Sequence, residues 1–362
     1  MIPRVVAPAP PSCPGPFPKD RAPLTSRHPV FVVGAPRTGT TLVKEILNRH
    51  PDVHLFDEVH FFERVWDDRG RLGDLSDPAS RARAIERVLD IVRRFGSDAD
   101  VASELTPAEY EARLVRAGPS YPGLARVLFT AQAARKGAAV WGDSSPQDIL
   151  YLATILSWWP DARIVALVRD PRGFLSSYKN YHRRNVATYR ERYTPLPVSM
   201  LWKGYMTALL EAEKAPWGRA VLRFRYEDLV ADPEAQVRRL AAHVGVEFAD
   251  TMLQVERANT SFVESGGAPR KGIFDSSKDR WRTELTPTEI WLGERIFGEM
   301  MPALGYERAA RGTAPSPVEL ARIGAALPGR AFNLFFRTGK PFRVSKLARV
   351  LGLQRGPKGS GP

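Results

Sequence analysis

The chain has 362 residues, 43% of them hydrophobic and 26% charged, an ordinary globular balance that excludes collagen-like, coiled-coil and wholly disordered proteins. Its single cysteine, Cys13, cannot close an internal disulfide, no cysteine or histidine cluster has metal-ligand spacing, and no run reaches the roughly 20 apolar residues of a membrane span or opens the chain as a secretory signal, so a soluble, cytoplasmic, metal-free protein is expected. The net charge of +13 lies in the tails: residues 1–29 carry four basic groups and one acid, residues 307–362 carry eleven and two, and the near-neutral body between them argues against a specific nucleic-acid partner.

Residues 1–29 hold nine prolines, which forbid helix or sheet ladders, so this arm is expected to be disordered. Order begins at Pro29-Val30-Phe31-Val32-Val33-Gly34, a β-branched apolar run suited to a fully buried parallel strand. A glycine-containing turn follows, then a helix from Leu42 to His50 with Leu42, Ile46 and Leu47 on one side. From about 63 to 135 the chain becomes charged and helix-forming, with Asp77-Pro78, Thr106-Pro107 and Pro119 as punctuation, and reads as a helical insertion lying over the sheet.

Strand and helix recur at Ile164 to Val168 and Gly173 to Arg184, and Ala220 to Tyr226 reads as a further strand. Asp232 caps a helix with Pro233 at its first position, Val237, Leu240, Ala241 and Val244 on one face, and Gly245 as its stop. Thr286-Pro287-Thr288-Glu289 is a capping box opening a helix through Ile290, Ile296, Phe297 and Met300, and Ser316-Pro317-Val318-Glu319 is another before a short helix. Strands alternating with helices predict an α/β fold with a doubly wound parallel sheet flanked by helices. The chain divides into an arm at 1–29, a domain at 30–306 containing the insertion, and a basic C-terminal extension at 307–362. Within the extension, residues 331–351 include a basic amphipathic stretch around Val344, Leu347 and Leu351. This stretch suits an anionic membrane surface or a protein partner, unless its aromatics pack on the chain's own core.

The strongest chemical signal is Gly34-Ala35-Pro36-Arg37-Thr38-Gly39-Thr40-Thr41, between the first strand and its helix. Backbone N–H groups at such a turn, with the helix dipole behind them, suit a phosphate. A nucleotide-hydrolase loop needs Gly-Lys followed by Ser or Thr; here Thr40 follows Gly39 and the cation has moved to Arg37. That departure argues against a P-loop nucleotide kinase.

The run Phe31 to Leu42 resembles the 5′-phosphosulfate loop of sulfotransferases that use 3′-phosphoadenosine 5′-phosphosulfate (PAPS), in the branch with Golgi carbohydrate, tyrosylprotein and many bacterial enzymes. Arg169-Asp170-Pro171-Arg172-Gly173-Phe174-Leu175-Ser176-Ser177 is similar to the segment whose strand-end arginine and later serine hold the cofactor's 3′-phosphate, which implies that role for Arg169 and Ser177. Glu58-Val59-His60-Phe61-Phe62 resembles the segment supplying the catalytic base, and an apolar wall of Phe56, Phe61 and Phe62 would raise the Glu58 pKa. Arg225-Tyr226-Glu227-Asp228-Leu229 resembles a strand end whose tyrosine faces the cofactor, Arg270-Lys271-Gly272 resembles the loop over the 3′-phosphate, and Trp281-Arg282 resembles the opening of a terminal helix that ends at Tyr306.

The resemblance implies that Arg37, Thr38, Gly39, Thr40 and Thr41 bind the 5′ side of PAPS, Arg37 stabilising the transferring group. It implies that Arg169, Ser177, Tyr226, Arg270, Lys271 and Gly272 bind the 3′ side, Glu58 takes the proton of an acceptor hydroxyl, and His60 orients the acceptor or Glu58. The product is adenosine 3′,5′-bisphosphate, no metal is required, and the acceptor is a saccharide, small molecule or tyrosine. One position departs from the pattern. Trp141-Gly142-Asp143-Ser144-Ser145-Pro146 resembles a turn that carries a lysine where Ser144 stands, which leaves a catalytically impaired binding protein as the alternative.

Overall fold

The computed structural model describes residues 28–95, 105–184, 193–255, 273, 278–309 and 314–332. The proline-rich arm, Arg270, Lys271, Gly272 and nearly all of 331–351 lie outside these residues.

Strands β1 (Pro29–Gly34), β2 (Val53–Asp57), β3 (Val140–Ser144), β4 (Arg163–Val168) and β5 (Val221–Arg225) form one sheet in the order β2-β3-β1-β4-β5, every pairing parallel. The longer helices are α1 (Thr40–Asn48), α2 (Pro78–Phe95), α3 (Pro107–Ala117), α4 (Tyr121–Arg135), α5 (Pro171–Arg184), α6 (Pro195–Lys214), α7 (Pro233–Val244), α8 (Pro287–Phe297) and α9 (Pro317–Phe332). This is the expected doubly wound α/β fold. Side-chain alternation along β1 divides the core. Val30 and Val32 pack with α1 and α7 on one face, while Phe31 and Val33 meet α2, α4 and α6 on the other. That second face is aromatic, with Phe31 stacked 5.7 Å from Trp159 and edge-on to Phe129 at 6.2 Å. Among the described residues no helix is long and apolar enough to cross a membrane.

Local chemistry sets the helix ends. Asp232 accepts from Ala235 N at 3.2 Å and Gly245 closes α7 at φ 80°, while Thr106 and Thr286 each form a complete capping box with the glutamate three residues on, each cap worth about 1 kcal/mol. The insertion between β2 and β3 is helical as expected, α2 and α3 beginning at the prolines that punctuate it and α4 shortly after Pro119.

Several expectations are corrected. Residues 53–57, given no element from the sequence, form a strand that polar His54 and Asp57 disguise, His54 being buried against Gln132 at 2.9 Å. The segment expected as a turn at 141–146 is strand β3 up to Ser144; Gly142 belongs there because a Cβ would overlap the Val30 carbonyl of the adjacent strand. Helix α1 starts at Thr40, two residues early, because Gly39 takes the left-handed conformation that admits the helix. The terminal helix is broken: Trp281–Glu284 is a separate turn, and Gly298 at φ 56° stops α8 at Phe297, before Met300. Ser316 does not complete its box. The Glu319 carboxylate instead accepts from Thr286 Oγ1 at 2.5 Å and Ser316 N donates to Thr288 Oγ1 at 2.9 Å, so α9, 16 residues long rather than short, is fastened to the start of α8.

Candidate active site

In this strand order β1 and β4 are the neighbours whose connections leave in opposite directions, so their C-terminal ends open a crevice. The phosphate-loop candidates line it. Thr38 is fully buried and its hydroxyl donates to Ala35 O at 2.7 Å, so it braces the loop and only its amide is left to face a ligand. Gly39, at φ 108°, is the N-cap of α1 and offers no side-chain cap. The first amides of α1, those of buried Thr40 and exposed Thr41 among them, therefore point outward as anion donors. A Cβ on Gly39 would stand 2.9 Å from Tyr226 Cδ2, so glycine is required by close approach as well as by φ.

Arg169 joins this cluster from the end of β4. Its Nη1 donates to Arg37 O at 3.3 Å and its guanidinium lies 4.5 Å over the Tyr226 ring. The same side chain crosses Gly173, where an added Cβ would be 3.1 Å from Arg169 Nε. Ser177, buried, is one turn further along α5 on that face. The turn is held from β5, as Glu227 accepts from Asp170 N at 2.9 Å and from the Tyr306 hydroxyl at 2.8 Å. Arg37, Gly39, Arg169 and Tyr226 are thus brought together from three strand ends.

Glu58 follows the last residue of β2. Its pKa is pushed up to about 7, first by desolvation and then by Asp57, with Arg37 and Lys44 pulling it down. The side chain keeps 42% of its surface, leaving one side open to an acceptor. Phe56, Phe61 and Phe62 are core residues, Phe56 packed on Phe129 at 5.7 Å and Phe61 on Phe62 at 5.6 Å. His60 Nε2 is 4.0 Å from Glu58 Oε2, beyond direct hydrogen bonding. Its ring meets Phe95 edge-on at 5.6 Å, and its backbone N–H donates to Ser145 Oγ at 3.0 Å. Arg37 at φ 73° and His60 at φ 55° are the non-glycine residues with positive φ among those described. Both flank Glu58 in the chain fold, and such strain persists where the surroundings over-determine it.

Sequence reasoning missed two charged residues here. Lys44, on α1, is 5% exposed and its Nζ lies 3.0 Å from Asp57 Oδ2 and 3.0 Å from Glu45 Oε1. Burial works against its charge, but Asp57 and Glu45 outweigh that and raise its pKa. Asp143, on β3, is fully buried with neither carboxylate oxygen in hydrogen-bonding geometry. Burial raises its pKa, helped by Asp57 and Glu58 and opposed by nearby Ser145 and Ser144. Ser144 is Cα-paired with Asp57 at the adjoining ends of β3 and β2. The signal for Lys44 was its place between apolar Val43 and Ile46 on a helix that must pack on the sheet.

Comparisons with known proteins bear on this geometry. Nodulation protein NoeE of Sinorhizobium fredii (strain NBRC 101917 / NGR234) is 26% identical over 300 residues, 77% of this chain and 66% of that protein. Protein-tyrosine sulfotransferase A of Caenorhabditis elegans is 22% identical over 229 residues, 63% of this chain and 52% of that one. The chain thus spans less than two thirds of either relative's length. Among solved structures, the sulfotransferase domain from the Synechococcus PCC 7002 olefin synthase aligns with a TM-score of 0.48 at 20% identity, covering 77% of this chain and 98% of that domain. The model of the sulfotransferase family matches residues 29–250, more than half of the chain and the span that holds β1 to β5 with Arg37, Glu58, Arg169 and Tyr226, and the chain belongs to that family.

Proposed function

We propose that the chain transfers a sulfuryl group, supplied by bound PAPS, to an acceptor hydroxyl and releases adenosine 3′,5′-bisphosphate. The observation that carries this reading is the convergence of Arg37, Gly39, Arg169 and Tyr226 beside a partly open carboxyl group with raised pKa. The start of α1 fits the 5′-phosphate, since Gly39 at its N-cap has no side chain to occupy the first amides. The guanidinium of Arg169, with the Ser177 hydroxyl on the same helix face, fits the 3′-phosphate.

Arg37 and the amides of Thr40 and Thr41 stabilise charge on the transferring group and the departing phosphate oxygen, each such contact contributing about 3 kcal/mol when it tightens in the transition state. Glu58 takes the hydroxyl proton of the acceptor as its oxygen attacks sulfur. His60, held off Glu58 by 4.0 Å, orients the acceptor. The name of the protein-tyrosine relative supports a hydroxyl acceptor, and tyrosine, saccharides and small alcohols or phenols form the class to screen. We take residues 30–306 as the catalytic domain.

Adenosine 3′,5′-bisphosphate, without magnesium, raises the melting temperature by on the order of 5 °C at hundredfold excess over its Kd, far more than adenosine 5′-monophosphate does. Equal shifts from the two nucleotides overturn the 3′-phosphate roles of Arg169 and Ser177.

The basic extension is proposed to hold the enzyme at anionic membranes, its eleven basic groups against two acids being the supporting observation. Because α9 is hydrogen bonded to α8, the informative deletion begins after Phe332. The shortened chain keeps its melting temperature and loses salt-sensitive sedimentation with phosphatidylserine vesicles; unchanged sedimentation, or a fall of many degrees in melting temperature, sinks the proposal.

A further inference from the structure

Asp57 ends β2 and is joined through its own peptide bond to Glu58. On one side Asp57 is Cα-paired with Ser144 of β3; on another its carboxylate meets the Lys44 ammonium at 3.0 Å. Lys44 stands one turn beyond Thr40 on the helix whose uncapped start faces the phosphate crevice. An ion pair with a buried lysine and a partly exposed carboxylate therefore bridges the nucleotide-binding helix and the strand that presents Glu58. Holding a lysine at 5% exposure carries a desolvation cost that only well-placed carboxylates offset, and a strut between α1 and β2 needs no charge, since Val43, Ile46 and Leu55 already pack that interface.

We propose that Lys44 and Asp57 are positioning residues for the transfer reaction, an ion pair anchored by a buried lysine that fixes the end of β2 to the phosphate-binding helix and balances the charge beside Glu58. The role in transfer rests on Glu58 being the base; the ion pair's effect on Glu58 does not. The charged groups around Glu58 are Asp57 from β2, Arg37 from the phosphate loop, Lys44 from α1 and Asp143 from β3, with His60 at 4.0 Å. Removing Lys44 withdraws a cation and also leaves Asp57 uncompensated, so both consequences make Glu58 harder to ionise. Neutralising Asp57 removes a repulsion and acts in the opposite direction. Removing both charges returns Glu58 close to its native behaviour. A merely mechanical strut behaves differently, because loosening the strand end hydrates Glu58 and makes it easier to ionise.

The test follows the Glu58 carboxyl by carbon-13 NMR in full-length, glutamate-labelled protein, its resonance assigned by loss in Glu58→Gln. In Lys44→Met the Glu58 titration moves up by about one pH unit, in Asp57→Asn it moves down, in the double variant it returns to within about 0.3 unit of native, and Lys44→Arg leaves it there. An unchanged or lowered titration in Lys44→Met overturns the inference. Should that variant fail to fold, Lys44→Gln, which also removes the cation, decides by the same upward shift, and an unchanged or lowered titration in it overturns the inference equally. Turnover of Glu58→Gln is measured separately: normal turnover there removes Glu58 as the base, and the ion pair from the transfer reaction, while the titration shifts still report its effect on Glu58.

Discussion

Glu58→Gln lowers turnover by about 100-fold or more while affinity for adenosine 3′,5′-bisphosphate stays within a few-fold. The substitution keeps size and hydrogen-bonding atoms and removes only the capacity to accept a proton. An acceptor hydroxyl with a pKa far above neutrality loses its proton as it attacks, so the base acts in the transition state and contributes little to nucleotide binding. The assay uses PAPS and whichever saccharide, phenol, lipid or tyrosine peptide the native chain sulfates; near-normal turnover means another group is the base. The pH dependence has a definite sign. Desolvation and Asp57 raise the Glu58 pKa from 4.5 to about 7, and only the carboxylate accepts the proton. Native kcat/KM therefore climbs as pH rises through about 7, and the residual rate of Glu58→Gln lacks that limb. Stability runs the other way. Between 4.5 and about 7 the folded chain keeps a proton that the unfolded chain has lost, so this group's contribution to stability falls as pH rises through that window.

Arg37→Ala damages both binding and turnover, with turnover falling by roughly 100- to 1000-fold and affinity for the bisphosphate falling several-fold. Alanine meets the backbone cost of φ 73° at this position much as arginine does, so the variant tests the guanidinium rather than the loop. Isothermal titration with adenosine 3′,5′-bisphosphate reads the ground-state part and steady-state turnover reads the rest. Arg37→Lys recovers little of the loss, because an ammonium lacks the planar fork that spans two oxygens. Turnover within a few-fold of native in Arg37→Ala sinks its assignment as the transfer-site cation.

The parts of the fold legible in the sequence are those where local chemistry and tertiary role agree. Val30 to Val33 is buried on both faces and reads as such; Asp232, Thr286 and Thr106 cap helices with the side chains they advertise. β2 and β3 were illegible because their polar residues answer to distant partners. His54 is satisfied by Gln132 of α4, 78 residues away, and Gly142 answers to the backbone of β1. The phosphate loop stands out through glycines and a cation at a strand end, whereas Glu58 needed a family resemblance, its carboxyl being one acid among 40 until the fold places it. Lys44 and Asp143 escaped because a single charge inside an apolar helix or beside a strand glycine looks like a solvated position, and only the packing of α1 against β2 and of β3 between β2 and β1 makes it a buried one.

The sheet order separates two inheritances. Gly39, Arg169 and Tyr226 descend from the loops after β1, β4 and β5, whereas residues 58–139 leave from β2 and return at β3, on the other side of β1. A change in the length, helices or surface of that excursion therefore leaves the loops after β1, β4 and β5 in place. The excursion and the nucleotide-binding loops meet at the strand end at Asp57 and Glu58 and at the helix that carries Lys44.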